Sequence, residues 1–300
     1  MLKVVIFGGS GFIGSCLAQS YGNSVELTIV SQSPIKSKIL NCNYYVFQYT
    51  ENNIYEFISQ NQFDIIHLLS GNPHPSNSEM DPFIDIIKTI NPALSMLKVL
   101  RKISYKGILW LPSSVAVYGS CIDKYLSEDS DCYPLSNYAV AKLSVENYAK
   151  LYAKNYNLKI GVYRIFSTYG PGLKRQVIYD NICKMRNGSP NIFLESSMES
   201  ARDFSYVIDQ AMGIKFLSDN VEPSGDIYNL GSGKATKIID LVKMIAEIMD
   251  YKGDITCSQD KKMIHDLVWT ADISKITALG FKQNYSLQKG ITETLRHMQT

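Results

Sequence analysis

Tyr138 and Lys142 have the residue types and the spacing of a proton-transfer pair. They lie in the predicted helix Ser136–Asn155, where a four-residue spacing places both side chains on one face, one turn apart. An ammonium group beside a phenol favours the phenolate, so it lowers the tyrosine pKa towards the range of a general acid–base catalyst. Taken alone, the pair fits a half-exposed helix surface equally well, because Tyr-x-x-x-Lys is common by chance.

A hydroxyl group at the end of an apolar segment supports the catalytic interpretation. Gly107–Pro112 is a predicted buried strand, and Ser113–Gly119 follows it with the sequence S-S-V-A-V-Y-G. Open α/β sheets bind ligands at the carboxyl ends of their strands. Ser114 is therefore expected to hydrogen-bond the substrate oxygen that Tyr138 protonates or deprotonates, while a nicotinamide cofactor supplies the hydride chemistry.

A glycine-rich loop predicts where such a cofactor binds. The predicted strand Lys3–Phe7 leads into the sequence G-G-S-G-F-I-G, within which the predicted helix Phe12–Tyr21 begins. Glycines at this spacing allow a tight turn, close backbone approach to a pyrophosphate and close helix–strand packing. The amide groups and the dipole of the helix N-terminus would bind the phosphates. A glycine-rich turn without a ligand is the less favoured alternative. The predicted contacts of this loop are Gly8, Ser10, Gly11, Phe12, Ile13 and Gly14.

The residues after the second predicted strand bear on the choice between NAD and NADP. An acidic side chain there would bind the ribose 2′-hydroxyl, but residues 30–38 contain no carboxylate. Their hydroxyl groups, with Lys36 and Lys38, favour the 2′-phosphate of NADP slightly, although the arginine typical of such sites is missing. Both cofactors therefore stay open. The predicted contacts here are Ser31, Gln32 and Ser33.

Short apolar runs alternate with longer amphipathic segments over the first two-thirds of the chain, which is typical of βαβ units around a parallel sheet. The runs are uniformly apolar, as expected of strands that helices cover on both faces. The predicted strands are Lys3–Phe7, Glu26–Val30, Tyr44–Gln48, Asp64–Ser70, Gly107–Pro112 and Lys159–Phe166. The predicted helices of this part are Phe12–Tyr21, Ile54–Gln60, Asp81–Ile103 and Ser136–Asn155.

The character of the chain changes after about Gly170, where Gly and Pro become frequent and the elements shorten. Ile238–Met249 and Ser286–Met298 are the predicted helices of this part. The sequence thus predicts an α/β fold, a Rossmann-type doubly wound parallel sheet with a smaller C-terminal substrate-binding lobe. The NAD(P)-binding core is expected at residues 1–170 and the lobe mainly at 171–300, with some segments returning to the core.

The composition disfavours several classes of protein. A net charge of +2 without long runs of like charge gives no support to nucleic-acid binding. No apolar stretch approaches the roughly 20 residues of a membrane helix, and the N-terminal apolar run is too short for a signal peptide. The six cysteines are scattered, and His67, His74 and His265 do not cluster with acids, so no metal site is expected. His67 lies in an apolar run and is expected to be a core residue. These features favour a cytoplasmic protein with reduced thiols.

Several segments, in matching order and spacing, resemble the extended short-chain dehydrogenases/reductases of the NAD-dependent epimerase/dehydratase family. Besides the glycine loop, the serine segment and Tyr-Ala-x-x-Lys, they are R-I-F at 164–166, Y-G-P-G at 169–172, R-D-F at 202–204 and N-L-G-S-G at 229–233. The resemblance runs from residue 3 nearly to the C-terminus. It implies that Ser114, Tyr138 and Lys142 are catalytic and that the latter two also contact the cofactor. The further cofactor contacts it implies are Leu69, Ser70, Gly71, Asn91 and Phe166.

Departures from the family pattern narrow the expected reaction. Family dehydratases that remove water from a 6-hydroxyl carry an Asp-Glu pair in the serine segment, where Val115 and Ala116 stand here. Dehydration at C4 and C6 is therefore not expected. Ser167 replaces a family asparagine that touches the sugar nucleotide, which puts that contact in doubt.

Two basic positions are candidates for the diphosphate. Arg202 matches the family arginine near this group, with a structural ion pair to Asp203 or Asp209 as the alternative. The family's later arginine is not evident, and Lys261 and Lys262 are the nearest basic residues, with solvated surface lysines as the alternative. The predicted substrate contacts are Ser114, Tyr138, Ser167, Arg202 and Lys262.

The leading hypothesis is an NAD(P)-dependent nucleotide-sugar epimerase, most simply at C4, in which Tyr138 is the acid–base and a keto-sugar forms transiently. The alternative is an NADPH-dependent reductase of a nucleotide-linked 4-keto-6-deoxysugar, which Ser167 and the missing acid after the second strand favour. A non-catalytic dinucleotide-sensing protein is disfavoured because Tyr138 and Lys142 are both present. The resemblance also implies a homodimer through a four-helix bundle of Asp81–Ile103 and Ser136–Asn155.

Overall fold

The structure, a computed structural model, describes residues 1–34, 41–73, 75–121, 123, 125–258 and 268–298. Its strands are β1 (Lys3–Phe7), β2 (Glu26–Ser31), β3 (Cys42–Val46), β4 (Ile65–Leu68), β5 (Ile108–Ser114), β6 (Lys159–Ile165), β7 (Ser167–Tyr169), β8 (Asn191–Ser197), β9 (Ala201–Tyr206), β10 (Ile227–Leu230), β11 (Ala235–Lys237), β12 (Asp254–Ser258) and β13 (Val268–Trp269). Its α-helices are α1 (Phe12–Tyr21), α2 (Glu51–Gln60), α3 (Pro75–Met80), α4 (Phe83–Asp85), α5 (Asn91–Lys102), α6 (Asn137–Tyr156), α7 (Gln176–Arg186), α8 (Val207–Asn220), α9 (Ile238–Met249), α10 (Ser274–Ala278) and α11 (Leu287–His297). A π-helical turn spans Ile86–Ile90, and a 3₁₀ turn spans Val115–Tyr118.

A seven-stranded parallel sheet forms the centre of the molecule. Its strand order is β10-β6-β5-β4-β1-β2-β3. From β1 the chain proceeds to one side through β2 and β3, and then to the other side through β4, β5 and β6. The carboxyl ends of β1 and β4 flank the point where this direction reverses, which is where such sheets bind ligands. The predicted Rossmann-type doubly wound fold is confirmed.

Helices cover both faces of this sheet, which explains why its strands are uniformly apolar. On one face α2, α5 and α6 pack with a core that includes Leu97 and Val145. On the other face α1 and α8 pack with a core that includes Leu17 and Trp110. His67 lies fully buried in β4, where its Nε2 is 2.8 Å from the Tyr21 hydroxyl oxygen, and burial lowers its pKa to about 3. His67 is thus a neutral core residue.

Most elements of the first two-thirds differ from their predicted bounds by a few residues. The largest correction concerns the predicted helix Asp81–Ile103, which consists of α4, the π-helical turn and α5. A π-helical turn contains an additional residue, so it rotates the residues that follow it relative to a regular helix. This rotation changes which side chains face the sheet, and it matters at the site described below.

The C-terminal part has its own core and more regular structure than the sequence predicts. Ile182 of α7, Ile192 of β8, Val242 of α9 and Ile291 of α11 are fully buried in this core. The helices α7 and α8 of this part of the chain were not predicted. Although α8 and β10 follow residue 170, α8 packs on the main sheet and β10 is the edge strand of that sheet. The chain therefore returns to the core after residue 170, as expected, while the domain boundary at that residue stays a prediction.

No helix among the described residues is both long enough and apolar enough to cross a membrane.

Candidate active site

A large cavity of about 1410 Å³ lies at the carboxyl ends of the sheet strands. Its sheet-side wall consists of the glycine loop, the ends of β2, β4 and β5, and the first turns of α6. Its lobe-side wall consists of residues from the α7 segment, β8, β9 and β13. The cavity thus lies between the parallel sheet and the C-terminal lobe.

The glycine loop has the geometry of a dinucleotide cradle. Gly8 has a φ of +81°, which favours glycine, and a Cβ on Gly14 would overlap the Gly8 carbonyl oxygen. α1 therefore begins close against β1. Its N-cap is Gly11, which provides no side-chain cap, so the helix N-terminus faces the cavity with amide groups that suit a pyrophosphate. On these observations the loop fits a dinucleotide.

The end of β2 is held to this loop by hydroxyl groups. The Ser31 and Ser10 hydroxyl oxygens are 3.0 Å apart, and the Tyr49 hydroxyl accepts the Gly8 N–H and donates to the Val30 carbonyl. Tyr49 lines the cavity and was not predicted, because nothing in its sequence neighbourhood indicates a ligand contact. These contacts fix the loop to the end of β2.

Ser114, Tyr138 and Lys142 meet at the centre of the sheet-side wall. Ser114 ends β5, its hydroxyl accepts the Ala116 N–H at 3.2 Å, and it lies close enough to the Tyr138 phenol to act on its pKa. Tyr138 lies in the first turn of α6, which Ser136 caps by accepting the Ala139 N–H at 3.2 Å. Lys142 follows one turn later, with its Nζ 5.7 Å from the centre of the Tyr138 ring. The predicted placement of both side chains on one helix face is confirmed by this contact.

The electrostatics of the pair differ from the sequence expectation. Burial raises the pKa of Tyr138, and the opposing influences are the Ser114 hydrogen bond and the positive charge of Arg175, not Lys142. Burial lowers the pKa of Lys142 to about 8, and its Nζ donates to the Pro112 carbonyl at 3.2 Å. The tyrosine pKa is therefore raised and not lowered as the sequence suggested, because burial dominates, and Arg175 is a cation that opposes this shift.

A buried ion pair lies behind Ser114, Tyr138 and Lys142. Glu146 is one turn beyond Lys142 in α6, and both of its carboxylate oxygens accept hydrogen bonds from Arg164 of β6, at 3.0 and 2.8 Å. Ser113, next to Ser114, donates to the same carboxylate. Both ionic side chains are nearly inaccessible to solvent. This network fixes α6 to the ends of β5 and β6, and so fixes the relative positions of Ser114 and Lys142.

The lobe-side wall carries two arginines and a tryptophan. Arg202 lies in β9 with its guanidinium carbon 4.5 Å from the centre of the Trp269 ring. Asp203 and Asp209 are the alternative partners considered for Arg202. Asp203 accepts the backbone N–H groups of Ser232, Gly233 and Ala271. Asp209 accepts those of Asn284 and Tyr285. Arg175 immediately precedes α7 and is half-buried. Arg175 and Trp269 were not predicted, since their place in the cavity depends on how the lobe folds over the sheet.

The cavity brings together most of the predicted site residues. Those that line it are Gly8, Ser10, Gly11, Phe12, Ile13, Gly14, Ser31, Gln32, Ser33, Leu69, Ser70, Gly71, Ser114, Tyr138, Lys142, Phe166, Ser167 and Arg202. Their individual roles stay predictions. Lys36, Lys38 and Lys262 lie outside the described residues. Among the described residues, no group of three His, Cys, Asp or Glu side chains could hold a metal ion.

Asn91 is the predicted cofactor contact that the structure does not bring to the cavity. It is exposed at the start of α5, whereas Thr89, two residues earlier, is buried and accepts the Asn72 N–H at 3.1 Å. The Thr89 hydroxyl also lies close to Gly71, beside Lys142. The π-helical turn places Thr89 against the site and leaves Asn91 facing solvent, so the prediction of Asn91 as a cofactor contact is wrong.

Comparison with known proteins gives a consistent result. A sequence profile of the NAD dependent epimerase/dehydratase family matches residues 4–231. A putative UDP-glucose 4-epimerase of Methanocaldococcus jannaschii is 26% identical, and the alignment covers 98% of each chain. The dTDP-glucose 4,6-dehydratase of Salmonella typhimurium is 25% identical, over 98% of this chain and 92% of that one. Both epimerases and dehydratases are thus among the similar proteins.

The fold resembles that of solved enzymes over the full chain. The UDP-glucose 4-epimerase of Thermotoga maritima, solved with UDP-glucose, superimposes with a TM-score of 0.90 at 22% sequence identity, over 99% of each chain. The likeness extends over both the parallel sheet and the smaller lobe.

Proposed function

The chain belongs to the NAD dependent epimerase/dehydratase family, and from this premise we propose that it is a nucleotide-sugar epimerase that acts at C4 of the sugar. The observation that carries this proposal is the cavity in which Ser114, Tyr138 and Lys142 face one another. A phenol, a hydroxyl and an ammonium around one point suit reversible proton transfer at a sugar hydroxyl.

The residues beside this triad favour epimerisation over dehydration. Val115 and Ala116 line the cavity next to Ser114, where the family's 4,6-dehydratases carry an Asp-Glu pair. Neither side chain has an ionisable group, so neither can protonate a leaving hydroxyl or remove a proton from carbon. The dehydratases among the similar proteins therefore do not define the activity that we propose here.

Each catalytic side chain has a role that follows from its place. Tyr138 removes the proton from the sugar 4-hydroxyl and returns it after the sugar has turned over in the site. Ser114 hydrogen-bonds the same sugar oxygen, because its hydroxyl and the phenol lie beside each other in the cavity. Lys142 supplies positive charge beside the phenol, and the hydrogen bond from its Nζ to the Pro112 carbonyl orients the lysine side chain. A nicotinamide dinucleotide, when bound, supplies reversible hydride acceptance at the sugar carbon.

Two further groups contact the ligands in this proposal. The glycine loop and the start of α1 hold the dinucleotide pyrophosphate, and Arg202 binds the substrate diphosphate, with Ser167 nearby in the cavity. The cofactor of the family is NAD. The described residues after β2 provide hydroxyl and amide groups and no charge, so a preference for NADP depends on Lys36 and Lys38 and stays a prediction.

The test begins with the small molecules that the purified protein retains. Mass spectrometry after denaturation is expected to find one dinucleotide per chain, because an epimerase returns its hydride and needs no exchange of cofactor. Incubation with UDP-glucose or UDP-galactose, without added cofactor, is then expected to interconvert the two as seen by proton NMR. Mass-spectrometric retention of NAD or of NADP also decides the cofactor.

Two outcomes would contradict the epimerase. An empty protein that oxidises added NADPH in the presence of a nucleotide-linked 4-keto-6-deoxysugar would identify the reductase instead. Ser167 and the missing carboxylate after β2 are the features that favour this second candidate. Absence of affinity for either dinucleotide would leave only a non-catalytic role.

We propose further that two copies of the chain associate through α4, the π-helical turn and α6. Phe83, Ile87 and Leu151 are large apolar side chains of these helices, with 66%, 62% and 47% of their surface exposed. Val140 is 51% exposed on the same pair of helices. Several large apolar side chains exposed on neighbouring helices favour an interface, and two helices from each copy would form a four-helix bundle.

Light scattering coupled to size-exclusion chromatography tests this association. The wild-type chain is expected to elute as a dimer, and Ile87→Glu and Leu151→Glu are each expected to shift it towards the 33.7 kDa monomer. Leu279→Glu, which adds the same charge at a 45% exposed leucine outside these helices, serves as the control and is expected to leave the mass unchanged. A monomeric wild-type protein would refute the dimer.

A further inference from the structure

A second carboxylate lies buried beside the catalytic pair, and none of the roles above uses it. Asp85 ends α4 and is only 2% exposed. Its Oδ1 accepts a hydrogen bond from the Asn72 amide at 3.1 Å, and the same amide group donates to the Ser78 hydroxyl at 2.9 Å. Its Oδ2 is buried without a hydrogen-bond partner among the described residues. A carboxylate in such a place is costly unless a neighbouring cation compensates its charge.

Lys142 is a buried cation near Asp85, since a Cβ on Gly71, which precedes the Asn72 that binds Asp85, would lie 3.2 Å from the Lys142 Nζ. Lys142 is 5% exposed, and the carboxylates that act on its ammonium group are Asp85 first and Glu146 second. Glu146 is already bound by Arg164 through both oxygens. Asp85 belongs to a different element, and its position is fixed independently by Asn72. The lysine therefore lies between a carboxylate that is fully paired elsewhere and one that keeps a free oxygen atom.

We propose that Asp85 is a positioning residue of this site, a buried counter-charge that keeps the Lys142 ammonium charged and oriented beside Tyr138. The proposal rests on the proposed function only in its choice of Lys142 and Tyr138 as the reacting pair. The sequence contains no pattern that predicts this role, because the position of Asp85 depends on the end of α4 and on the π-helical turn that follows it.

The charged groups around the pair determine the sign of the effect. Asp85 faces both side chains from α4, Glu146 faces Lys142 from α6, and Arg175 faces Tyr138 from the start of α7. Burial lowers the pKa of Lys142 to about 8, and Asp85 and Glu146 oppose this; burial raises the pKa of Tyr138, and Asp85 adds to it. Loss of the Asp85 charge therefore lowers the pKa of both groups.

Asp85→Asn tests this inference, because it removes the charge and keeps an oxygen for Asn72. Its pH–rate profile is expected to move to lower pH on both limbs, by about one pH unit, the size that a nearby charge typically produces. NMR of ¹³Cε-labelled lysine, with Lys142→Met to assign the resonance, is expected to show Lys142 titrating lower by the same amount. Asp85→Glu keeps the charge and is expected to titrate like the wild type.

A control separates the charge from the hydrogen bonds. Ser78→Ala removes the neighbouring hydrogen bond to Asn72 without a change of charge, so it is expected to lower stability and leave the Lys142 titration in place. An Asp85→Asn protein with equal loss of activity at every pH, and with an unmoved Lys142 resonance, would overturn the proposal. If Asp85→Asn does not fold, Asp85→Ser gives the same readout with a smaller neutral side chain.

The NMR titration also keeps the two proposals apart. It needs no substrate, so a protein that converts no sugar nucleotide refutes the proposed function while the Lys142 titration still tests Asp85. Conversely, an active epimerase whose Lys142 titrates unchanged in Asp85→Asn keeps its function and loses this inference.

Discussion

The sheet-side wall of the cavity comes from short segments with recognisable sequence patterns, whereas the lobe-side wall comes from single residues that are far apart in the chain. Gly8, Gly11 and Gly14 lie within one turn, and Tyr138 and Lys142 lie within one helix turn. Arg202 and Trp269 of the other wall are separated by 67 positions and meet only because β13 pairs with β9.

This difference predicts that substitutions in the two walls have different effects. The sheet-side wall is fixed by backbone geometry and by the Glu146–Arg164 ion pair. The lobe-side wall consists of side chains that can change individually without disturbing the sheet. We therefore expect variants of the first wall to affect the reaction or the cofactor, and variants of the second to affect the choice and binding of the substrate.

Tyr138→Phe gives the largest expected effect and tests the first half of this contrast. Loss of the acid–base hydroxyl is expected to lower kcat by about 10³-fold, while dinucleotide affinity and Tm stay unchanged because the ring remains. Steady-state assays, calorimetric titration and thermal melting measure the three quantities. Tyr156→Phe, in an exposed position of the same helix, is the control. Turnover that survives Tyr138→Phe would refute the role of the phenol.

Gly14→Val is expected to weaken dinucleotide binding by 10- to 100-fold, because its Cβ would overlap the Gly8 carbonyl oxygen and lie 2.8 Å from the Gly9 Cα. Overpacking of this kind costs about 1–3 kcal/mol. Calorimetric titration with NAD measures the affinity. Gln19→Val introduces the same side chain on the exposed face of α1 and controls for helix propensity. Equal affinity in both variants would mean that the loop does not hold the pyrophosphate.

Arg202→Met is expected to raise the KM for the nucleotide sugar by about tenfold or more, since a charged hydrogen bond contributes about 1.5–3 kcal/mol. The dinucleotide affinity should not change, because Arg202 belongs to the lobe-side wall. The same substitution at Arg296, which is 68% exposed in α11, is the matched control. A loss of dinucleotide binding in Arg202→Met would break the contrast between the walls.

The pH dependence of the wild-type enzyme gives the smallest expected effect. Lys142 has a pKa of about 8 because burial disfavours its charge. As the pH rises through 8, the ammonium loses its proton and the positive charge beside Tyr138 disappears. We expect kcat/KM, which reports the ionisations of the free enzyme, to have fallen to about half near pH 8 and to continue downward at higher pH. A rate that stays constant to pH 10 would show that the charge of Lys142 is not required.

The sequence predicted the sheet-side elements closely because their signals are local. The bounds of β1, α1 and α9 are those predicted, since an apolar run or a helical period is contained within each element. The predictions failed for α7 and α8. Gly and Pro near these segments suggested loops, but packing of their apolar side chains against strands that are distant in the chain stabilises them as helices. They also failed at Asn91, because a π-helical turn cannot be recognised from apolar spacing.

The sequence by itself determined the glycine loop, the doubly wound sheet and the triad formed by Ser114, Tyr138 and Lys142 in one cavity. Each of these follows from contacts between residues that are close in the chain or at the ends of adjacent strands. Only the tertiary structure decided the charges around that triad. Asp85 and Arg175 reach Lys142 and Tyr138 from separate elements, and burial, which sets the direction of both pKa shifts, depends on how the whole chain excludes water from the site.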